Sequence, residues 1–371
     1  MITITSDIPQ ICLASSPIVI EGTSNCVSVE DSTLHRVWLK AQCLNGTTVV
    51  YEADLICNLN SSGLTSEFSF NLRDIATAAY RRTTSYGLDS NGLPKITRPI
   101  LKMDFAIMEE YMYDGSTVQL TSSAYTLSTP ITILPGAWTD GERIVNPGRY
   151  DLTNWLATAH MLSRKPSSDI AIAGRPIYIP ICAAYDEDEN ELGTTKATIT
   201  HGSQNAYSST LSIGSATSTL ANTGTYSIGV GNDSHITYTV GERRDRRELV
   251  FVNGFGQLES VVCVSNETLE QKLNLLSLFS RVKTRFGIDR SGINLASVGD
   301  RTYGLSSGPV TLEWAEWWIN EVCCSEHAWL YDSHKGRWIS GVVVASEKNT
   351  LYDRGKGDAP SISFSFVTDE K

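Results

Sequence analysis

Charged residues are scarce in this sequence: Asp, Glu, Lys and Arg together make up 19% of its 371 residues. A disordered chain combines few apolar residues with high charge, so the hydrophobic fraction of 41% predicts folded domains instead. Basic residues are outnumbered, with 30 Lys and Arg against 41 Asp and Glu. Because nucleic-acid binding needs a basic surface, we expect no nucleic-acid partner.

Long apolar runs and targeting signals are also missing. No segment approaches the roughly 20 apolar residues of a membrane-spanning helix, so we expect no membrane span. The opening residues, MITITSDIPQICLASSPIVI, have no basic stretch followed by a continuous apolar one. This argues against a secretory signal peptide, and we expect synthesis in a cytoplasm. Action outside that cell would then require lysis or a dedicated export machine.

The 8 cysteines form neither a disulfide framework nor a metal motif. No Cys-x-x-Cys occurs, and Cys323 and Cys324 are adjacent, which is poor geometry for pairing with each other. Most of the others stand beside apolar residues, as Cys263 does within Ser260–Val264. Buried thiols behave as small hydrophobes, so the cysteines are predicted to be reduced core residues, as expected in a cytoplasm.

An acidic run, Asp186–Glu191, begins like a calcium-binding loop. The EF-hand pattern requires Gly at its sixth position and Glu at its twelfth, where this chain has Glu191 and Ala197. A charged hairpin tip is therefore the favoured interpretation, and a weak, irregular Ca²⁺ site is the alternative. The histidines form neither His-x-x-x-His nor His-Glu-x-x-His.

Two further motifs could indicate a metal site and a catalytic serine, but the residues around each of them argue against it. His327 and His334 lie near Cys323 and Cys324, but the neighbouring tryptophans favour an aromatic core. Gly304–Gly308 has the letters of a Gly-x-Ser-x-Gly elbow, which needs a buried strand before the serine and a helix after it. Polar residues precede this string and a proline follows it. The sequence thus predicts no catalytic residue, no metal and no cofactor, and we expect no enzyme.

Short apolar strands between turn signals predict a mainly β fold, with β-sandwich modules and a few short helices. Asn45-Gly46 and Asp114-Gly115 are typical of hairpin turns. Leu249–Val252 and Ser260–Val264 predict another hairpin. Between residues 201 and 234 Ser, Thr, Gly and Asn dominate, and exposed strands are favoured there over flexible low-complexity sequence.

Helical signals occur in four places. Asn71–Asp74 predicts the start of a helical turn, and Tyr150–Leu162 places apolar residues on one face of a short amphipathic helix. Thr268–Gln271 has the form of a capping box and predicts a third helix. Trp314–Glu321 predicts a fourth.

Punctuation by Pro and Gly divides the chain into an N-terminal β-sandwich-like domain (1–135), a middle β-rich domain with one short helix (136–248) and a C-terminal β domain with two helices (249–371).

The last helix carries Trp314, Trp317 and Trp318 at i, i+3 and i+4, which places their side chains on one face. Packing of this face on the closing strands is one interpretation. The other is an exposed aromatic platform for a partner protein or for sugar rings, since large aromatics dominate interface energetics. These three residues are the candidate interface.

Several of these elements together resemble tail-associated virion proteins of phages and prophages from Bacteroidetes hosts. The opening module, from Ser16–Ile20 to Phe68–Phe70, looks like their N-terminal β-domain. Glu248–Gly256, an apolar strand running into Asn-x-x-Gly, is similar to a hairpin of those proteins. The closing segment from Trp314 to Phe366 also looks like theirs. The resemblance extends over most of the chain and carries over no catalytic residue.

The resemblance implies a non-enzymatic structural protein of a phage tail tip or baseplate, located in the virion and assembled in the bacterial host cytoplasm. Its partners would be copies of itself (a homo-oligomer), other tail proteins, and a host surface glycan or receptor. Paired strand edges and apolar surface would hold the copies together. The alternatives are a cell-surface or carbohydrate-binding adhesin, and a polysaccharide-degrading tail component that would need two carboxylates in a deep cleft.

Overall fold

The computed structural model describes residues 2–24, 34–59, 66–113, 116–138, 152–231, 236–242, 246–264, 269–284, 287–346 and 359–368. Strands make up 57% and helices 9%, which confirms the predicted mainly β fold of sandwich type. The strands fall into three groups along the chain, which we call the N-terminal, middle and C-terminal groups; within the described ranges each strand pairs inside its own group.

The N-terminal group packs two sheets and one helix around a single core. The alternation of side chains along a strand determines which of them face the core. Val37, Leu39 and Ala41 are fully buried, while the residues between them point outward. The sheets have the orders β1-β3-β6 and β2-β11-β9-β4-β5, with β10 on β9 and a separate hairpin β7-β8. The elements are β1 (Ile2–Ile4), β2 (Ile11–Leu13), β3 (Val19–Ser24), β4 (Leu34–Asn45), β5 (Thr48–Asn58), β6 (Ser66–Asn71), α1 (Arg73–Thr83), β7 (Ser85–Leu88), β8 (Pro94–Thr97), β9 (Leu101–Tyr113), β10 (Ser116–Thr126) and β11 (Ile131–Leu134).

The middle group is a sandwich of a three-stranded sheet, β12-β14-β19, and a five-stranded sheet, β13-β21-β20-β17-β18. Ile177, Ile179 and Ile181 of β14 enter its core, and the opposite face of the same strand carries Tyr178 into a second core. The elements are a 3₁₀ turn (Trp155–Ala157), β12 (His160–Met161), β13 (Ser168–Ile172), β14 (Pro176–Cys182), β15 (Tyr185–Asp186), β16 (Glu191–Leu192), β17 (Ala197–His201), β18 (Gln204–Tyr207), β19 (Ile213–Thr219), β20 (Gly224–Val230) and β21 (Ile236–Gly241).

The C-terminal group curls into a closed barrel. Its sheet runs β23-β22-β26-β27-β28-β25, and the pair Val264–Ser306 joins β23 back to β25, leaving β24 outside the ring. Phe251, Trp317 and Phe366 fill the interior. The elements are β22 (Arg246–Val252), β23 (Leu258–Val264), β24 (Leu269–Thr284), β25 (Gly287–Ser306), α2 (Leu312–Trp317), a π-helical turn (Trp318–Val322), β26 (Ala328–Asp332), β27 (Arg337–Ala345) and β28 (Ser363–Thr368).

Two of the predicted helices are wrong. Within Tyr150–Leu162 the described part is a 3₁₀ turn followed by β12, because His160 and Met161 pair with the buried strand β14. The segment after Thr268, which itself lies outside the described residues, is strand β24 instead of a capped helix. Its pairing with β25 along its whole length outweighs the local capping signal.

The other local predictions agree with the structure. Helix α1 begins at Arg73, α2 and its π-helical turn cover the predicted Trp314–Glu321, and residues 201–234 contain strands in their described part. The β4-β5 hairpin forms, but its turn is Gly46-Thr47, because a bulge between Cys43 and Leu44 shifts the register. Strands β9 and β10 also pair as a hairpin, whereas residues 114–115 lie outside the described ranges.

Barrel closure leaves no room for a side chain at Gly341 of β27. A Cβ there would overlap the carbonyl oxygen of Val367 and approach Phe366 Cζ at 2.8 Å. We expect Gly341→Ala to lower the free energy of unfolding by about 2 kcal/mol. The matched control is Gly87→Ala in β7, where no heavy atom lies within 4 Å of the added Cβ. Urea denaturation followed by tryptophan fluorescence measures both; equal midpoints for the two variants would contradict the packing described for β27.

Candidate functional site

The turn Asn253–Gly256 connects β22 to β23 and lies where the three groups meet. The Asn253 side chain closes it, because Oδ1 accepts hydrogen bonds from the backbone N–H groups of Phe255 and Gln257, both at 3.1 Å. Its Nδ2 donates to the carbonyl of Leu162 at 2.7 Å and to Glu259 at 3.0 Å. One buried amide therefore shapes the turn and ties it to the chain that enters the middle group. We call Asn253–Gly256 the junction turn.

Three glycines are required for this close approach. Gly136, with φ +103°, lies so near the junction turn that a Cβ would stand 2.5 Å from Phe255 Cα. At Gly254 a Cβ would overlap the guanidinium of Arg164, and at Gly256 that of Arg98. The Phe255 side chain itself enters a core that contains Leu134 of the N-terminal group and Cys182 of the middle group.

Two arginines, one from each of the other groups, bind the junction turn. Arg98 donates to the carbonyl of Gly256 at 2.9 Å and forms an ion pair with Glu326. Arg164 forms an ion pair with Glu321 at 2.7 Å, and its guanidinium lies 4.1 Å from the centre of the Phe255 ring. Glu321 also accepts from the backbone N–H of Gly254 at 2.6 Å. These contacts bridge the N-terminal, middle and C-terminal groups.

A fully buried lysine adds a second bridge between the middle group and the barrel. Lys165 forms an ion pair with Asp169 at 2.8 Å, lies 3.9 Å from Glu259 and donates to the carbonyl of Ser260. Burial alone would lower the pKa of Lys165, but the charge of Asp169, with Tyr238 and Glu259, raises it above its usual value. The ammonium therefore stays charged, as a buried cation with paired partners does.

Glu248 is the buried carboxyl group that fits its surroundings worst. It lies on the outer face of β22 with 4% of its surface exposed, and its Oε2 has no hydrogen-bond partner among the described residues. Burial raises the pKa of Glu248 to about 8, and Arg175 offsets this only in part. The Arg175 guanidinium stacks instead on the ring of Tyr331 at 3.6 Å.

The structure separates the three predicted interface tryptophans. Trp317 and Trp318 are 5% and 2% exposed and belong to the barrel core, where Trp317 meets Phe251 edge-on at 5.7 Å. Trp314 is half-buried and meets Trp317 edge-on at 5.1 Å. An interface at this helix stays a prediction, and of the three side chains Trp314 is the one placed to contact a partner.

The other motifs noted in the sequence belong to hairpins, strands and packing contacts. Asp186 and Glu191 flank the tip of the β15-β16 hairpin, which confirms the hairpin interpretation. Ser306 ends the barrel strand β25, so the Gly304–Gly308 string is not a strand-to-helix elbow. His327 stacks on Tyr86 at 4.4 Å and makes a 3.0 Å hydrogen bond with Ser340. In the described part of the chain, no group of three or more His, Cys, Asp or Glu side chains could hold a metal ion.

Ser24, His35 and Glu109 form a buried polar cluster that no local sequence pattern predicts. Ser24 Oγ lies 3.2 Å from His35 Nε2 and donates to Glu109. In a hydrolytic triad the histidine stands between the serine and the carboxylate, whereas here the serine contacts both. Ser24 is also fully buried, and burial lowers the pKa of His35. The cluster therefore braces strands β3, β4 and β9.

A long two-stranded arm leaves the barrel. The register between β24 and β25 runs from the pair Leu269–Tyr303 to the pair Thr284–Gly287, and only Arg301–Ser306 of β25 also pairs with β28. Within the described ranges, no further strand pairs with Leu273–Thr284 or with residues 287–298. At the ordinary rise of a strand this part of the hairpin is about 40 Å long. We call residues 272–284 and 287–300 the arm.

No protein-family model matches this chain, and the curated proteins contain no match to it either. Among the described residues, no helix is long and apolar enough to cross a membrane. The junction turn, the arm and the surfaces beside them are the features of the structure that bear on function.

The junction charge pair is open to a direct test. Glu321→Gln removes a carboxylate that pairs with the Arg164 guanidinium in a mostly buried place, so we expect the free energy of unfolding to fall by about 2–3 kcal/mol. Glu52→Gln is the matched control, since Glu52 faces Lys40 at 3.9 Å with both side chains about half exposed, and should change stability by less than about 1 kcal/mol. Chemical denaturation measures both, and equal losses would contradict the bridging role of Glu321.

The buried carboxyl group of Glu248 should make the free energy of unfolding depend on pH. Its folded pKa, about 8, lies above the unfolded value near 4.5, so the folded chain binds an extra proton between these limits. Stability should therefore fall as the pH rises through this window and level off above it. Glu248→Gln removes this loss and should be more stable than the natural chain above pH 8, by on the order of 2–4 kcal/mol. Glu189→Gln at an exposed hairpin tip controls for the lost charge; identical pH profiles for both variants would contradict the assignment.

Proposed function

We propose that this protein is a non-enzymatic structural protein that assembles with copies of itself and with other proteins, as a component of a phage tail tip or baseplate. The observation that carries the proposal is the arm, a two-stranded hairpin whose outer edges have no partner strand within the described residues. An isolated two-stranded hairpin is marginally stable in water at best. The arm therefore needs contacts with a surface outside this chain to be stable.

Unpaired strand edges determine the kind of contact that the arm can make. Each outer edge presents a row of backbone N–H and C=O groups, which pair readily with another strand. In sequence the first strand of the arm is rich in leucine, with Leu273, Leu275, Leu276 and Leu278 close together. A row of like arms around a symmetry axis would satisfy the edges of every copy, and closed symmetry is the usual form of a homo-oligomer.

The barrel surface at the root of the arm supports the same proposal. Val342 and Val344 of β27 are 37% and 48% exposed on the outer face. Val342 pairs with Val367 of β28, which in turn pairs with Thr302 of β25. A partner that follows the arm would thus meet apolar barrel surface where the arm begins. Burial of this surface would add to the backbone pairing.

The location belongs to the same proposal: a virion protein, assembled in the cytoplasm of its bacterial host. The resemblance of the opening module, the Glu248–Gly256 hairpin and the closing segment to tail-associated proteins supports it. The free thiols are compatible with it, since every described cysteine is unbonded to another. The hydrogen bonds and ion pairs between the three groups also suit a structural component, because inter-domain motion would otherwise be the default.

The test is the mass of the purified chain in solution, by light scattering at several concentrations. We expect the natural chain to be a closed oligomer or a polymer. Replacing the arm by Asn-Gly between Gln271 and Arg301, which face each other in register, should give a folded monomer with a two-residue turn. The control shortens the hairpin at Asp186 and Glu191 in the same way and should assemble normally. A strictly monomeric natural chain would contradict self-assembly, and full assembly without the arm would contradict its role.

A further inference from the structure

A groove of about 510 Å³ lies between the middle group and the barrel. One wall is the edge strand β13, which pairs only with β21 in the described sheet. The opposite wall is Val261–Val264 of β23 together with the segment Ser307–Trp314. A volume of this size is in the range of pockets that hold small molecules.

Trp314 gives the groove a flat apolar wall. Its ring is held in orientation by the edge-on contact with Trp317, whose own side chain is buried in the barrel core. Pro309 and Val262 continue the apolar lining beside it. An indole face held in this way stacks against C–H groups of a flat ligand, and such aromatic contacts add about 1 kcal/mol beyond area burial.

The polar groups of the groove carry both signs of charge. The side chain of Asp169 is 7% exposed; its Oδ2 is held by the Lys165 ammonium at 2.8 Å, and its Oδ1 accepts from the backbone N–H of Ile170 at 2.6 Å. Arg246 of β22 also lines the groove. Both carboxylate and guanidinium groups bind hydroxyl groups, the first as acceptor and the second as donor.

We propose that this groove binds a neutral oligosaccharide, with one pyranose ring stacked on Trp314 and its hydroxyl groups bonded to Asp169 and Arg246. A sugar ring has an apolar C–H face and a rim of hydroxyl groups that both donate and accept, which matches an indole wall beside one anion and one cation.

The experiment titrates the full-length protein with neutral trisaccharides of glucose, galactose, mannose and N-acetylglucosamine, and reads binding by calorimetry and tryptophan fluorescence. We expect at least one trisaccharide to bind, and Trp314→Ala to weaken it about tenfold. Trp314→Phe keeps a ring against Trp317 and should weaken binding less, so it decides the question if the alanine variant does not fold. Tyr207→Ala is the matched control, since it removes an aromatic ring that is 57% exposed on β18, and should bind as the natural chain does.

Three results would overturn the proposal. The first is no binding by any of the trisaccharides at millimolar concentration. The second is unchanged affinity in both Trp314 variants, which would place the sugar elsewhere. The third is an equal loss in Tyr207→Ala, which would assign binding to the exposed face of β18. Self-assembly through the arm is measured separately and stands or falls independently of these results.

Discussion

The rest of the structure depends on the satisfaction of buried polar groups at the junction turn. Asn253, Glu259 and Glu321 are nearly inaccessible to water, and a buried amide or carboxylate without partners would cost several kcal/mol. Each of them finds its partners on a different part of the chain, from Leu162 to Gly254. The turn therefore ties the middle group to the barrel, and Arg98 and Gly136 of the N-terminal group contact it as well. Its glycines allow the groups to approach that closely.

The surfaces where the groups meet differ from the outer surface of the barrel. Tyr178 of β14 packs on the barrel, and the buried ammonium of Lys165 pairs with Asp169. Away from the junction, the outer face of the barrel exposes Val342 and Val344, close to the strands that continue into the arm. Another chain can use this apolar surface and the strand edges of the arm.

Local sequence patterns predicted much of the fold, but not the long-range contacts that complete it. The Asn45-Gly46 pair of the β4-β5 hairpin and the tryptophan spacing of α2 are local signals, and each led to the right element. Leu269, Leu273 and Leu276 fit a helical face equally well. Only the pairing of β24 with the next strand, β25, makes this segment a strand.

The candidate site was less predictable for the same reason. Asn253–Gly256 stood out as a turn, but Arg98 and the pair Arg164-Lys165 lie far from it in sequence, and nothing local connects them to it. Trp317 and Trp318 were indistinguishable from Trp314 by sequence, because helix periodicity gives a face without saying what covers it. The barrel closure at Val264 and Ser306 decides that two of them are core.

Hydrogen exchange of the natural chain, measured at high and at low concentration, distinguishes contacts within one chain from contacts between copies. In the proposed assembly, the three groups form a body that carries the arm, and the backbone of the arm is stabilised only by other copies. It predicts slow exchange at the junction amides of residues 254–257 at both concentrations, and slow exchange in the arm only when the chain is concentrated. Arm amides that exchange slowly in the dilute monomer, or fast in the assembled state, would contradict the account.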